Sequence, residues 1–165
     1  MARIAVDSKY WLWINGKLAI YEGGLKRGPT PNDTYFDRVD LAPFLQQGEN
    51  TLAVLAWYWG KEGFSHKNSG KNGFIFQLDA DDTRILSDST WKALRHPAFG
   101  RTGEPHPNYR MPDENVHFDA RLDIGAVGDQ VALEREDQRE HVLRQRRGCV
   151  VADVGDGDAA LATAI

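Results

Sequence analysis

DSKYWLWINGK, residues Asp7–Lys17, is the stretch on which the fold is decided. Tyr10, Leu12 and Ile14 alternate with Trp11 and Trp13, so a strand here carries large apolar groups on both faces and is expected to be buried on both sides. Asn15-Gly16 supplies two residues that tolerate positive φ, which a type I′ turn requires, and that turn matches the twist of the strands it joins. A hairpin returning through Lys17–Tyr21 follows from this, with Arg3–Val6 as a further strand ahead of it.

The rest of the first 120 residues reads as strands and turns. Residues 23–34 hold three glycines, two prolines, Asn32 and Asp33, a long irregular loop of the kind that often carries function. Tyr35–Val39 suits a short strand. Asp40 is placed to cap one helical turn through Leu41 and Leu45, and Gln47-Gly48-Glu49-Asn50 forms the next turn. Thr51–Trp59 is nearly all apolar, bounded by Gly48 and Gly60, and its Val, Trp and Tyr favour a pleated central strand over a helix. Phe74–Leu78 alternates, the acidic turn Asp79–Asp82 reverses the chain, and Thr83–Leu86 returns. Ser87–Arg95 and Val116–Leu122 read as the last strands, separated by a Pro-rich loop from His96 to Pro112. Seven or eight short strands without a long helix predict an all-β, antiparallel sandwich of two packed sheets.

Length and composition fit one domain. The chain has 165 residues, and its aromatic residues (five Trp, five Tyr, seven Phe) supply a globular core. The net charge of −4, with no basic stripe in the first 120 residues, disfavours nucleic-acid binding. The single cysteine, Cys149, has no intramolecular disulfide partner. No apolar run is long enough to span a bilayer, and the start has no secretory signal, giving a cytoplasmic location by default.

A composition break falls near residue 120. All seventeen aromatic residues and all seven prolines precede residue 119, and after Lys92 every Lys/Arg position is Arg. Residues 1–122 are therefore read as the sandwich and 123–165 as a tail of aberrant composition. Within the tail, Leu133, Val142 and Leu143 are too few for more than a marginal helix over 131–147, and the close from Val150, with Gly155-Asp156-Gly157-Asp158, is expected to be poorly ordered. A shifted reading frame or a truncated gene end accounts for such a tail.

DSKYWLWINGK resembles the segment of bacterial α-L-rhamnosidases in which a strand ends at an Asn-Gly hairpin. TYFDRVDLAPFLQQGENTLAVLAWYWG (Thr34–Gly60), SDSTWK (Ser87–Lys92) and HFDAR (His117–Arg121) are similar to that family in order and spacing. The resemblance covers residues 2–122. It implies the N-terminal accessory domain of those glycoside hydrolases, a galactose-binding-like jelly roll ahead of a catalytic (α/α) barrel. It also implies that the acid and base lie in that barrel, a partner this segment lacks, and that a strand before Arg3 is missing, which leaves an edge unpaired.

Candidate sites follow from chemistry. Sugar recognition needs an aromatic face and planar hydrogen-bonding groups. The loop after the central strand offers Trp59, Phe64, His66 and Lys67, and the opposing loop offers Arg27, Asn32 and Asp33. Against this stands the simpler reading that Trp57 and Trp59 pack in the core. Glycoside hydrolysis needs two carboxylates roughly 5 to 9.5 Å apart, for which Asp37 with Asp40, or Glu62 with Asp33, are the available pairs. Asp79, Asp81 and Asp82 offer hard oxygens to calcium, although a solvated hairpin tip explains them as well, and no other cofactor is expected. His96, His106 and His117 lack a zinc spacing. Gly155 and Gly157 lack the context of a phosphate loop, and Cys149 lacks a neighbouring base other than His141. The expected function is a non-catalytic accessory domain that braces the barrel or assists carbohydrate recognition. The alternatives are an independent lectin-like module and, less favoured, a small stand-alone glycosidase.

Overall fold

The computed structural model describes residues 1–24, 33, 35–60, 69–70, 72–80, 83–101, 116–123 and 147–153. The strands are β1 (Ala2–Val6), β2 (Lys9–Ile14), β3 (Lys17–Gly23), β4 (Asp37–Val39), β5 (Leu52–Tyr58), β6 (Phe74–Ala80), β7 (Thr83–Leu86), β8 (Lys92–Arg95), β9 (Phe99–Arg101), β10 (Val116–Phe118) and β11 (Arg147–Asp153). Single 3₁₀ turns lie at Ala42–Phe44 and Ala120–Leu122. The described residues include no α-helix, and none of their helical segments is long and apolar enough to cross a membrane. The chain is all-β.

One sheet has the order β4-β1-β6-β7 and a second β3-β2-β5-β11-β8, while β9 and β10 form a small ribbon. Both large sheets turn one face inward. Ala2, Ile4 and Val6 of β1 and Phe74, Phe76 and Leu78 of β6 meet Tyr10, Leu12 and Ile14 of β2 and Leu52, Val54 and Ala56 of β5, with Leu41 and Trp91 completing the cluster. Every second residue of these strands points in, as the pleat dictates. Each large apolar side chain so buried contributes roughly 1.5–3 kcal/mol.

The Asn15-Gly16 turn is as expected, with φ of 53° and 78°. Asn15 also fastens the turn to its neighbours. Its side-chain N–H groups donate to the Phe44 carbonyl (3.2 Å) and Asn50 Oδ1 (3.0 Å), and its own Oδ1 accepts the Thr51 N–H (2.9 Å). Asp40 Oδ1 accepts the Ala42 N–H at 3.0 Å, so the acid does lead the short helical turn. β5 is central, between β2 and β11.

Five expectations are corrected. Trp11 and Trp13 are half-buried, so β2 is fully buried on one face only. Residues 87–90 are a turn rather than strand, because Asp88 Oδ1 accepts both the N–H (2.9 Å) and the hydroxyl (2.6 Å) of Thr90. Phe99–Arg101, inside the Pro-rich segment, forms β9 against β10. Strand β10 stops at Phe118, where Asp119 accepts the Arg121 N–H (3.0 Å) and draws the chain into a 3₁₀ turn. Lastly, residues 147–153 of the supposed tail form β11, paired parallel to both β5 and β8 in a framework whose other pairs are antiparallel. The remaining tail residues, 124–146 and 154–165, lie outside the described residues. β1 is paired on both sides, by β4 and β6, so no open edge lies beside it.

Candidate functional site

Register places the strand ends that lead to the two candidate loops at one end of the second sheet. Tyr10 pairs with Gly23 and Lys9 with Trp57, so the exit from β3 and the exit from β5 flank the start of β2. Gly24 and Gly60, just past those exits, therefore lie at the same end of the second sheet. Asp7, Ser8 and Lys9 sit between them, and all three are buried. Ser8 Oγ accepts the Trp59 N–H at 2.9 Å, and Asp7 Oδ1 accepts the Ser69 N–H at 3.0 Å, which ties both ends of the 60–68 segment to the β1–β2 bend.

The exit from β3 is anchored as well. Gly24 has φ +80°, and a Cβ there would run into the Val6 side chain, while one at Gly23 would meet the Tyr10 ring. Asp37 Oδ2 accepts the Gly24 N–H (2.8 Å) and the Tyr10 hydroxyl (3.0 Å). Burial, reinforced by the Asp37 charge and hydrogen bond, raises the Tyr10 phenol far above its ordinary value, so it stays protonated and donating.

Lys9 is the chemical centre of this end. Its side chain is 5% exposed, with Nζ 2.9 Å from Glu22 Oε1, 4.6 Å from the Trp57 ring centre and 5.2 Å from that of Trp11. A desolvated ammonium between two indole faces gains from their quadrupoles. Glu22 reaches it by adopting φ +53°, at a β3 register shift that places one extra residue between the Tyr10–Gly23 and Leu12–Ile20 pairs. Such bulges re-aim side chains next to sites. Tyr21, 72% exposed, stands edge-on to Trp11 with centroids 6.4 Å apart. The buried indole N–H of Trp57 meets no acceptor among the described residues.

Trp57 and Trp59 are both buried and pack with Trp11, Leu55 and Phe99 on the outer face of the second sheet. Trp59, 4% exposed, turns its ring into that cluster and not toward solvent. Asp33 is exposed. Phe64, His66, Lys67, Arg27, Asn32 and Glu62 lie outside the described residues. Of the carboxylate pairs, Asp37 holds Tyr10 and Gly24, and Asp40 holds Ala42. Asp79 accepts from Arg3 (2.6 Å), Gln77 (2.8 Å) and Arg84 (2.8 Å), which together lower its pKa to about 2. Asp81 and Asp82 are outside the described residues. Among the described residues no three His, Cys, Asp or Glu side chains converge as metal ligands. His96 is buried, His117 is exposed, and His106 is not among the described residues.

Sequence reasoning missed Lys9, Trp11, Tyr21 and Glu22. The signal available was the alternation Lys9-x-Trp11-x-Trp13, which puts a cation and two indoles on one face of one strand. Nothing local announces Glu22, whose role depends on the bulge.

Compared with known proteins, the chain matches no family model, no curated protein and no solved structure.

Proposed function

We propose that this chain is a non-catalytic, jelly-roll accessory domain of the galactose-binding-like type, resembling that of α-L-rhamnosidases, and that it assists carbohydrate recognition at the Lys9 end of the sandwich. The observation that carries the reading is the tryptophan-clamped lysine between the exits from β3 and β5, with the exposed Tyr21 ring beside it. Aromatic faces suit the C–H side of a sugar, and the sequence following β3 and β5 offers Arg27, Asn32, Asp33, His66 and Lys67 for its hydroxyls. The Trp57 N–H, which meets no acceptor among the described residues, is in keeping with a site whose hydrogen bonding is incomplete without a ligand.

The test is retention of the full chain on affinity gels carrying rhamnose-containing polysaccharide, with glycan-array binding to identify the sugar. Tyr21→Ala combined with His66→Ala should abolish retention while leaving the β-type circular dichroism unchanged. A folded double variant that is retained as well as the parent would sink the reading.

A second reading, bracing of a catalytic barrel, is favoured by a different observation. The outer face of the second sheet is apolar beyond the Trp57–Phe99 cluster: Trp13 is half-buried, and Leu18 and Leu94 are 45% and 48% exposed. Antiparallel sheets usually turn a polar face outward, and an apolar one marks a surface to be covered. Leu18→Glu with Leu94→Glu should then weaken association with an α-L-rhamnosidase barrel and leave gel retention intact.

A further inference from the structure

β11 pairs with β5 over seven register positions, Arg147–Leu52 to Asp153–Tyr58, and with β8 over four, Gly148–Lys92 to Val151–Arg95. Both ladders are parallel, and β11 has no other strand partner among the described residues. Withdrawing it would break no pairing between other strands, yet would open the facing edges of β5 and β8 and leave their backbone groups unpaired. The slot is therefore shaped for one extended segment of fixed direction.

We propose that the slot between β5 and β8 is a strand-exchange site, which residues 147–153 of a second copy of this chain can fill, so that two copies close each other's sheets in a two-fold dimer. Residues 124–146, 23 positions, separate β11 from the preceding described segment. At 3.3–3.6 Å per residue such a length spans at most about 80 Å, while a compact chain of this size has a radius of gyration of only about 15 Å. The same connection thus reaches the slot of its own copy or that of a neighbour. Exchange in both directions restores every ladder, which makes it a low-cost route to a closed dimer. A tethered strand competes at an effective concentration on the order of mM, so dilute protein closes on itself and concentrated refolding traps the exchanged form.

Cys149, the one cysteine of the chain, stands opposite Ala93 in the β11–β8 register and supplies the test. Full-length Ala93→Cys is refolded under oxidation at low and high concentration. The expected result is a 93–149 disulfide within one chain in dilute protein and between two chains in concentrated protein. In parallel, unsubstituted protein carrying two different tags is unfolded, mixed and refolded concentrated. The tags should co-purify, and Val150→Pro, which removes a ladder donor, should abolish that. A disulfide confined to single chains at every concentration, tags that never co-purify, or co-purification that survives Val150→Pro would each overturn the proposal.

Discussion

His96 is 3% exposed, and its ring lies edge-on to Phe99 with centroids 4.9 Å apart. Its Nδ1 accepts the Ala98 N–H at 3.2 Å, which fixes the neutral tautomer with the proton on Nε2, 3.5 Å from Asp123 Oδ1. Burial lowers its pKa from 6.5, and Asp123 only partly opposes this. The native state thus favours the uncharged ring, while the unfolded chain takes up a proton near the ordinary value. The contribution to stability is complete above that value and is lost as pH falls toward the lowered native one. Thermal midpoints should drop between about pH 7.5 and about pH 5.5, and His96→Gln should flatten that part of the profile. Identical slopes for parent and variant would rule the mechanism out. Lys9 makes a second prediction at this scale. Lys9→Ala removes the group between Trp11 and Trp57 and leaves Glu22 at φ +53° without its ion-pair partner. A loss of roughly 1–3 kcal/mol is expected, read as a lowered urea midpoint with red-shifted tryptophan fluorescence. Lys9→Met, which keeps the stem, should recover part of it.

Among the elements, the β2–β3 hairpin separates backbone strain from crowding. Gly16 has φ +78° with open space where a methyl would stand, whereas Gly24 has φ +80° and faces Val6. Gly16→Ala should cost about 1–2 kcal/mol, the penalty of a left-handed residue. Gly24→Ala should cost about 1–3 kcal/mol more from overpacking. Equal urea midpoints for the two variants would contradict this. The same hairpin shows why part of the fold is legible in sequence. Asn15-Gly16, Asp40 and the alternations in residues 10–14 and 74–78 act locally, so their residues state their geometry. β9 spans only three residues within a Pro-bounded stretch, too short for a period to register. β11 is set by pairing with residues far away in sequence, and parallel partners carry no turn between them. The Asp88 and Asp119 turns were readable in principle, since both depend on a carboxylate reaching the N–H two residues on. For the site, length and composition draw attention to the loops, whereas the Lys9 clamp requires the β2–β5 register and the β3 bulge.

For the molecule as a whole, the carboxylates bear on catalysis. A glycosidase needs one carboxyl held protonated by a raised pKa and a second placed across the bond. Asp79 and Asp119 are instead lowered by arginine partners, Arg84 and Arg3 for the first and Arg121 for the second. Asp37 and Asp40 spend their oxygens on backbone N–H groups and a phenol, and Glu22 is paired with Lys9. These acids are engaged in contacts that hold strands and turns in place. On the accessory-domain reading, the purified chain should release no nitrophenol from an aryl α-L-rhamnoside at any pH from about 4 to about 8, a range covering the pKa values to which glycosidase acids are tuned. The same preparation should still be retained on the rhamnose-bearing gel. Turnover that survives repurification and disappears in Asp37→Asn with Asp40→Asn would show that those carboxylates do chemistry, and would replace the accessory-domain reading with that of a hydrolase.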